Sequence, residues 1–188
     1  MHEIEPFYNW QRYYVSEDDE KSPFYERTYG IEYEDTIYGY YIDPNWDSIG
    51  SETLYCKILI ADYDLRYAVI ELFGEWNDTL HNDIMFLKRT VIDHLTKHGI
   101  NQYILIGENI FQFHGGEEDY YEEWYEDVED GWIAAINFPN FILEEFKRYH
   151  IDSYINFGGT LQMIDNWRTM KPHLFYDVVK GLIMRRLT

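Results

Sequence analysis

His94 and His98 stand four positions apart, a spacing that on a helix turns both imidazoles to one side, as some zinc sites require. Leu95, Thr96 and Lys97 fill the gap, so the glutamate that would serve a metalloprotease as general base is missing. Gly99 follows at once, and a helix C-terminus favours nearby imidazoles without any metal. The acidic run from Glu117 to Asp130 offers the oxygen ligands that hard cations take, but not in the Asp-x-Asp-x-Asp-Gly spacing of a calcium loop. Gly115-Gly116 could cradle a phosphate, were it not followed by Glu117, Glu118 and Asp119, which would repel one. Tyrosines and tryptophans beside carboxylates suit carbohydrate chemistry, yet the spacing selects no acid pair among the many available. Cys56 is the only cysteine, which excludes an intramolecular disulfide and a cysteine-based zinc site; its apolar surroundings predict a buried, inert thiol. The expectation is no metal and no cofactor.

A different polar set follows from topology. In open α/β sheets, ligands settle beyond the carboxyl ends of parallel strands. The residues just past the predicted strands include Asp78, Glu108, Asn109, Asn137 and Asn156, with His114 in the adjoining loop. Together they would supply amide donors, carboxylate acceptors and one titratable imidazole around a cleft. The competing reading is that Asn and Asp at such places cap helices and make turns. No nucleophile paired with a base is legible among them.

The elements that would position these residues are bounded by the charge pattern. The formal charge of −20 resides in residues 1–52 and 108–131, which contribute −10 each; the rest sums to zero. The two segments also carry 19 of the 36 aromatic residues, so they are expected to be ordered in spite of their charge. Such acidity disfavours nucleic acid and anionic membranes as partners, and favours cationic ones. No apolar stretch is long enough to span a bilayer, and the N-terminus lacks a signal-peptide pattern, so a cytoplasmic location is expected.

Thr53–Asp62 and Arg66–Gly74, joined by Tyr63-Asp64-Leu65, predict an antiparallel hairpin; Ile31–Ile42 offers a further antiparallel strand. Asn77 or Asp78 caps a helix reaching His98, whose apolar positions are Leu80, Ile84, Leu87, Val91, Ile92 and Leu95. Gln102–Gly107 is a strand buried on both faces. Tyr121, Trp124, Tyr125 and Val128 share one helix face in the acidic insert. Trp132–Phe138 reads as a strand, Asn140–Tyr149 as a helix capped by Asn140, Ile151–Phe157 as a last strand and Leu174–Arg186 as a helix. The fold class is α/β: one domain, residues 53–188, with a mixed sheet whose antiparallel N-terminal hairpin precedes βα units, helices covering it and an acidic insert at 108–131. Residues 1–52 form an acidic, aromatic N-terminal extension packed on that domain.

The hairpin followed by alternating helices and strands, from Thr53 to Gly158, resembles the SpoIIAA or STAS-type domain family. That resemblance implies a small regulatory or ligand-binding module, in some members switched by phosphorylation of a serine or threonine after a central strand. The matching stretch, Gly107–His114, holds neither residue, so the switch does not carry over. The phrases Gly74-Glu75-Trp76-Asn77-Asp78, Tyr121-Glu122-Glu123-Trp124 and Tyr154-Ile155-Asn156-Phe157-Gly158-Gly159 also resemble a family of bacterial proteins without an assigned activity.

The expected role is a non-enzymatic interaction or regulatory module that binds a protein partner through the acidic, aromatic surface. Tyr120, Glu123, Trp124 and Asp127 are the contact candidates, since tyrosine and tryptophan dominate interface hot spots and the acids would steer a basic partner. Self-association is a variant, through the basic C-terminal stretch in which Arg168, Lys171, Lys180, Arg185 and Arg186 oppose only Asp177. The alternative role is a small-molecule site, possibly enzymatic, around Asp78, Glu108, Asn109 and His114.

Overall fold

The computed structural model describes residues 2–33 and 35–187. The apolar runs fold into a five-stranded mixed sheet in the order β4-β5-β6-β7-β8. Its strands are β4 (Asp47–Ser48), β5 (Leu54–Asp62), β6 (Tyr67–Asn77), β7 (Gln102–His114) and β8 (Trp132–Ile136). The β4/β5 and β5/β6 pairs are antiparallel; β6/β7 and β7/β8 are parallel. The expected hairpin and two parallel strands are therefore present. The Ile31–Ile42 stretch does not join this sheet. It forms β2 (Thr36–Ile37) and β3 (Tyr40–Ile42), which with β1 (His2–Ile4) make a separate three-stranded sheet.

Both faces of the main sheet are covered, which is why its strands read as nearly unbroken apolar runs. One face packs Leu72, Trp76, Tyr103 and Leu105 against helices α2 (Asp83–Leu87), α3 (Asp93–Lys97), α4 (Asp119–Asp127) and α5 (Asn140–Arg148). The other packs Tyr67, Val69, Ile104 and Ile106 against α6 (Pro172–Arg186) and the N-terminal segment. There Trp10, on a short 3-10 turn, is buried beside Trp167 and Phe175. Its indole N–H donates to the Met170 carbonyl at 2.9 Å, which removes the cost of burying that polar edge. Among the described residues, no helix is long and apolar enough to cross a membrane.

Four local expectations change. The 78–98 helix is interrupted: α1 (Asp78–His81) ends at Asn82 in the left-handed region, and Lys88–Ile92 forms a π-helical turn between α2 and α3. Leu80, ahead of the break, is exposed, while Ile84, Leu87, Val91, Ile92 and Leu95 are fully buried. Strand β7 runs seven residues past Gly107, so Glu108–His114 is not a loop. Pro139, not Asn140, stands at the N-cap of α5. Residues 151–157 make a 3-10 turn and a one-residue parallel bridge, Asn156 to Ala134, instead of a full strand. His150 and Gly158, both at positive φ, turn the chain at either end of that stretch.

Candidate functional site

The six residues expected around one cleft fall into separate polar clusters. Asp78 opens α1, which Asn77 caps by accepting the Leu80 N–H at 2.9 Å. The Asp78 carboxylate is buried; Oδ1 accepts from Trp76 Nε1 (2.9 Å) and Ile84 N (2.8 Å), and Oδ2 from the Tyr121 hydroxyl (2.5 Å). Burial raises its pKa to about 6 against the pull of those donors, of which Tyr121 is the strongest. With every contact directed into the protein, Asp78 fastens α2 and α4 to the end of β6.

Glu108 belongs to a second cluster, on the α6 side. Its Oε1 accepts from Asn137 Nδ2 (2.9 Å) and Trp167 Nε1 (2.8 Å), and its Oε2 lies 2.7 Å from Arg168 Nη2. Asn137, at positive φ, also exchanges hydrogen bonds with the backbone of Ile164. This is the only pair of the six that meets directly. Arg168 Nη2 extends to 3.9 Å from Glu71, whose other oxygen accepts the Phe7 N–H at 2.7 Å. Glu71 and Trp167 had not been singled out from sequence, and Arg168 only as part of the basic C-terminal stretch. Glu71 carried a signal, as the one charge within the run Tyr67–Gly74.

Glu71 is almost fully buried, and desolvation raises its pKa to about 7 although the Phe7 amide and Arg168 oppose the shift. A carboxyl bound more tightly to its proton in the folded chain stabilises fully below its unfolded pKa, near 4.5, and loses that contribution as pH rises through about 7. The difference is about 3 kcal/mol, or about 6–12 °C in Tm for a chain this long. Glu71→Gln keeps an acceptor for Phe7 without ionising. The variant should therefore gain on wild type in thermal melts between pH 5 and pH 8, whereas a pH-independent offset would contradict this account.

His114 ends β7, exposed, with Nε2 3.6 Å from Glu75 Oε1. Glu75 also accepts from Tyr38 (2.5 Å) and Asn77 (3.0 Å). Asn109 is half-buried opposite Phe73, and the Asn156 side chain donates to the Ile133 carbonyl at 3.1 Å. Gly115 and Gly116 serve close packing: a Cβ on Gly115 would enter the Tyr149 ring, and one on Gly116 would press on Asp78.

Helix α4 has two unlike sides. Tyr121, Trp124 and Val128 are buried as the spacing predicted, whereas Tyr125 is 53% exposed. Trp124, expected at a partner surface, is instead core: its ring meets Tyr103 edge-on at 5.4 Å. Glu123 and Asp127, with side chains 40% and 43% exposed, reach along the surface toward Lys88 and Asp93. Carboxylate oxygens of Asp93, Glu123 and Asp127 lie within 4.8 Å of one another, close enough to hold a cation. The Lys88 ammonium already sits among them, 2.6 Å from Asp127, 3.4 Å from Glu123 and hydrogen-bonded to Asp93. Burial pulls the Lys88 pKa down, but these carboxylates outweigh it and hold the amine above its usual range. Arg89 completes the arrangement with two bonds to Glu123, and its guanidinium lies 5.2 Å over the Tyr120 ring. Near the other end of this helix pair, His98 Nδ1 contacts the His94 carbonyl at 2.9 Å, which ties that imidazole to its own helix terminus.

No protein-family model matches the chain, and no curated protein matches it. Among solved structures, the chain is similar to one described as the Bacillus cell fate determinant SpoIIAA in the phosphorylated form. That likeness has 13% identity and a TM-score of 0.38 and covers 59% of this chain and 97% of the other.

Proposed function

We propose that the chain is a non-enzymatic interaction module whose contact face is the outer side of α4, and that it binds a basic protein partner. The observation that carries this reading is the division of the helix. Glu123 and Asp127 are neutralised by Lys88 and Arg89, while Glu122, Glu126, Glu129 and Asp130 form no ion pair among the described residues. Tyr125 stands exposed among them, its ring 6.0 Å from that of Tyr154. An aromatic anchor ringed by unneutralised carboxylates suits a cationic surface, with the charges speeding encounter and the ring supplying the buried contact. Of the residues expected at this face, Tyr120, Glu123 and Asp127 are held by contacts within the chain, so the contact residues become Glu122, Tyr125 and Glu126.

A photo-crosslinking amino acid at position 125 should trap a discrete adduct in cells, and the adduct should vanish when Glu122 and Glu126 become lysine. The same probe at exposed Glu144, on α5, is the control. Equal yields from both positions would refute the assignment.

A further inference from the structure

At the end of the sheet opposite α1, a cleft of about 490 Å³ opens between the β5–β6 turn, residues 13–21 and the first turn of α6. Its volume suits a small molecule. Tyr13, Tyr14, Tyr63 and Tyr67 border it over a floor of Ile60 and Ala61. Two of these rings are fixed by one carboxylate, because the Tyr14 and Tyr63 hydroxyls both donate to Asp19 Oδ2, at 2.8 and 2.6 Å. Tyr67 is stacked on Tyr176 and only 1% exposed, yet its hydroxyl has no hydrogen-bond partner among the described residues. Its oxygen is not one of the enclosed unpaired atoms of the chain, so it opens onto the cleft as a donor and acceptor within reach of a bound molecule.

The charges select the class of ligand. Asp62 and Asp64 border the cleft, and Asp19 and Asp177 lie close behind it, against Lys21 and His173. Asp62 uses Oδ1 to accept the Asp64 and Leu65 amides, which leaves Oδ2 available. Lys21 provides the second indication. In a chain with 35 acidic residues it forms no ion pair among the described residues; its ammonium instead lies over the Tyr63 ring, 4.7 Å from the centroid. The ring face thus already accepts an alkylammonium supplied by the chain itself.

We propose that this cleft binds a small organic ammonium ion, which takes the place of Lys21 over Tyr63. Its charge is met by the tyrosine faces and by Asp62 and Asp64, its N–H groups reach the Tyr67 oxygen, and its carbon chain lies on Ile60 and Ala61. Aromatic walls with nearby carboxylates are the chemistry that recognises alkylammonium groups. An anion would meet the acidic rim, and a metal ion would gain little from the rings.

The test is a titration of the full chain with 1,5-diaminopentane at low salt, followed by amide chemical shifts. The assignment expects saturable shifts at Tyr63, Asp64 and Tyr67. Lys21 is exposed, so Lys21→Ala should leave the fold intact and strengthen binding about two- to fivefold, the worth of one exposed cation–π contact. Asp64→Asn should weaken it. Shifts that do not saturate in Lys21→Ala, shifts spread over α4 as strongly as over the cleft, or saturation by benzoate in place of the diamine would each overturn the proposal.

Discussion

Trp124→Ala should lower the melting temperature by about 6–20 °C, through a loss of about 3–5 kcal/mol. The indole is fully buried between α4 and the sheet, so truncation removes both its transferred area and the contacts of its neighbours. Trp124→Phe separates the contributions. The wild-type Nε1 is buried without a hydrogen-bond partner, so phenylalanine discards an unsatisfied donor while keeping an aromatic ring against Tyr103. Its cost should be well below half that of alanine. A Trp124→Ala chain that melts with wild type would show that the residue faces outward after all.

Gly74→Ala should be comparably damaging although it adds only one methyl group. Gly74 sits at a register shift in β6 with φ +112°, a region L side chains rarely adopt. A Cβ there would overlap the Thr53 carbonyl oxygen, which accepts the neighbouring Glu75 amide at 3.0 Å. Backbone strain of about 1–3 kcal/mol would add to overpacking of about 1–3 kcal/mol. Denaturant midpoints measure the sum. Gly30→Ala, where a Cβ meets nothing within 4 Å, is the matched control and should shift the midpoint little.

The parts of the fold legible in the sequence are those where one period holds without interruption. The β5–β6 hairpin and the apolar starts of β7 and β8 are buried on both faces, so composition alone marks them. The far half of β7 was not legible because two register shifts against β6 break the alternation of Ile110, Phe111, Gln112 and Phe113. The helix after Asn77 was legible in its buried positions but not in its breaks: neither the left-handed Asn82 nor the π-helical turn leaves a clear mark on the apolar spacing. The polar residues were recognisable as cap and turn formers, yet their partners were not. Glu108 meets Trp167 and Arg168 from about 60 positions away, a pairing that only the α6-side packing creates. The Tyr14–Asp19–Tyr63 arrangement was hidden for the same reason, since it depends on how residues 1–30 lie over the sheet.

Because Lys88 brings an internal counter-charge to the inner side of α4, ionic strength divides this helix lengthwise. Carboxylates paired at 2.6–3.4 Å with a buried ammonium respond less to mobile ions than the unpaired outer ones, whose fields are screened within about 10 Å at moderate salt. Salt therefore acts mainly on one face of the helix, while its attachment to the sheet rests on the buried Tyr121, Trp124 and Val128, which mobile ions do not reach.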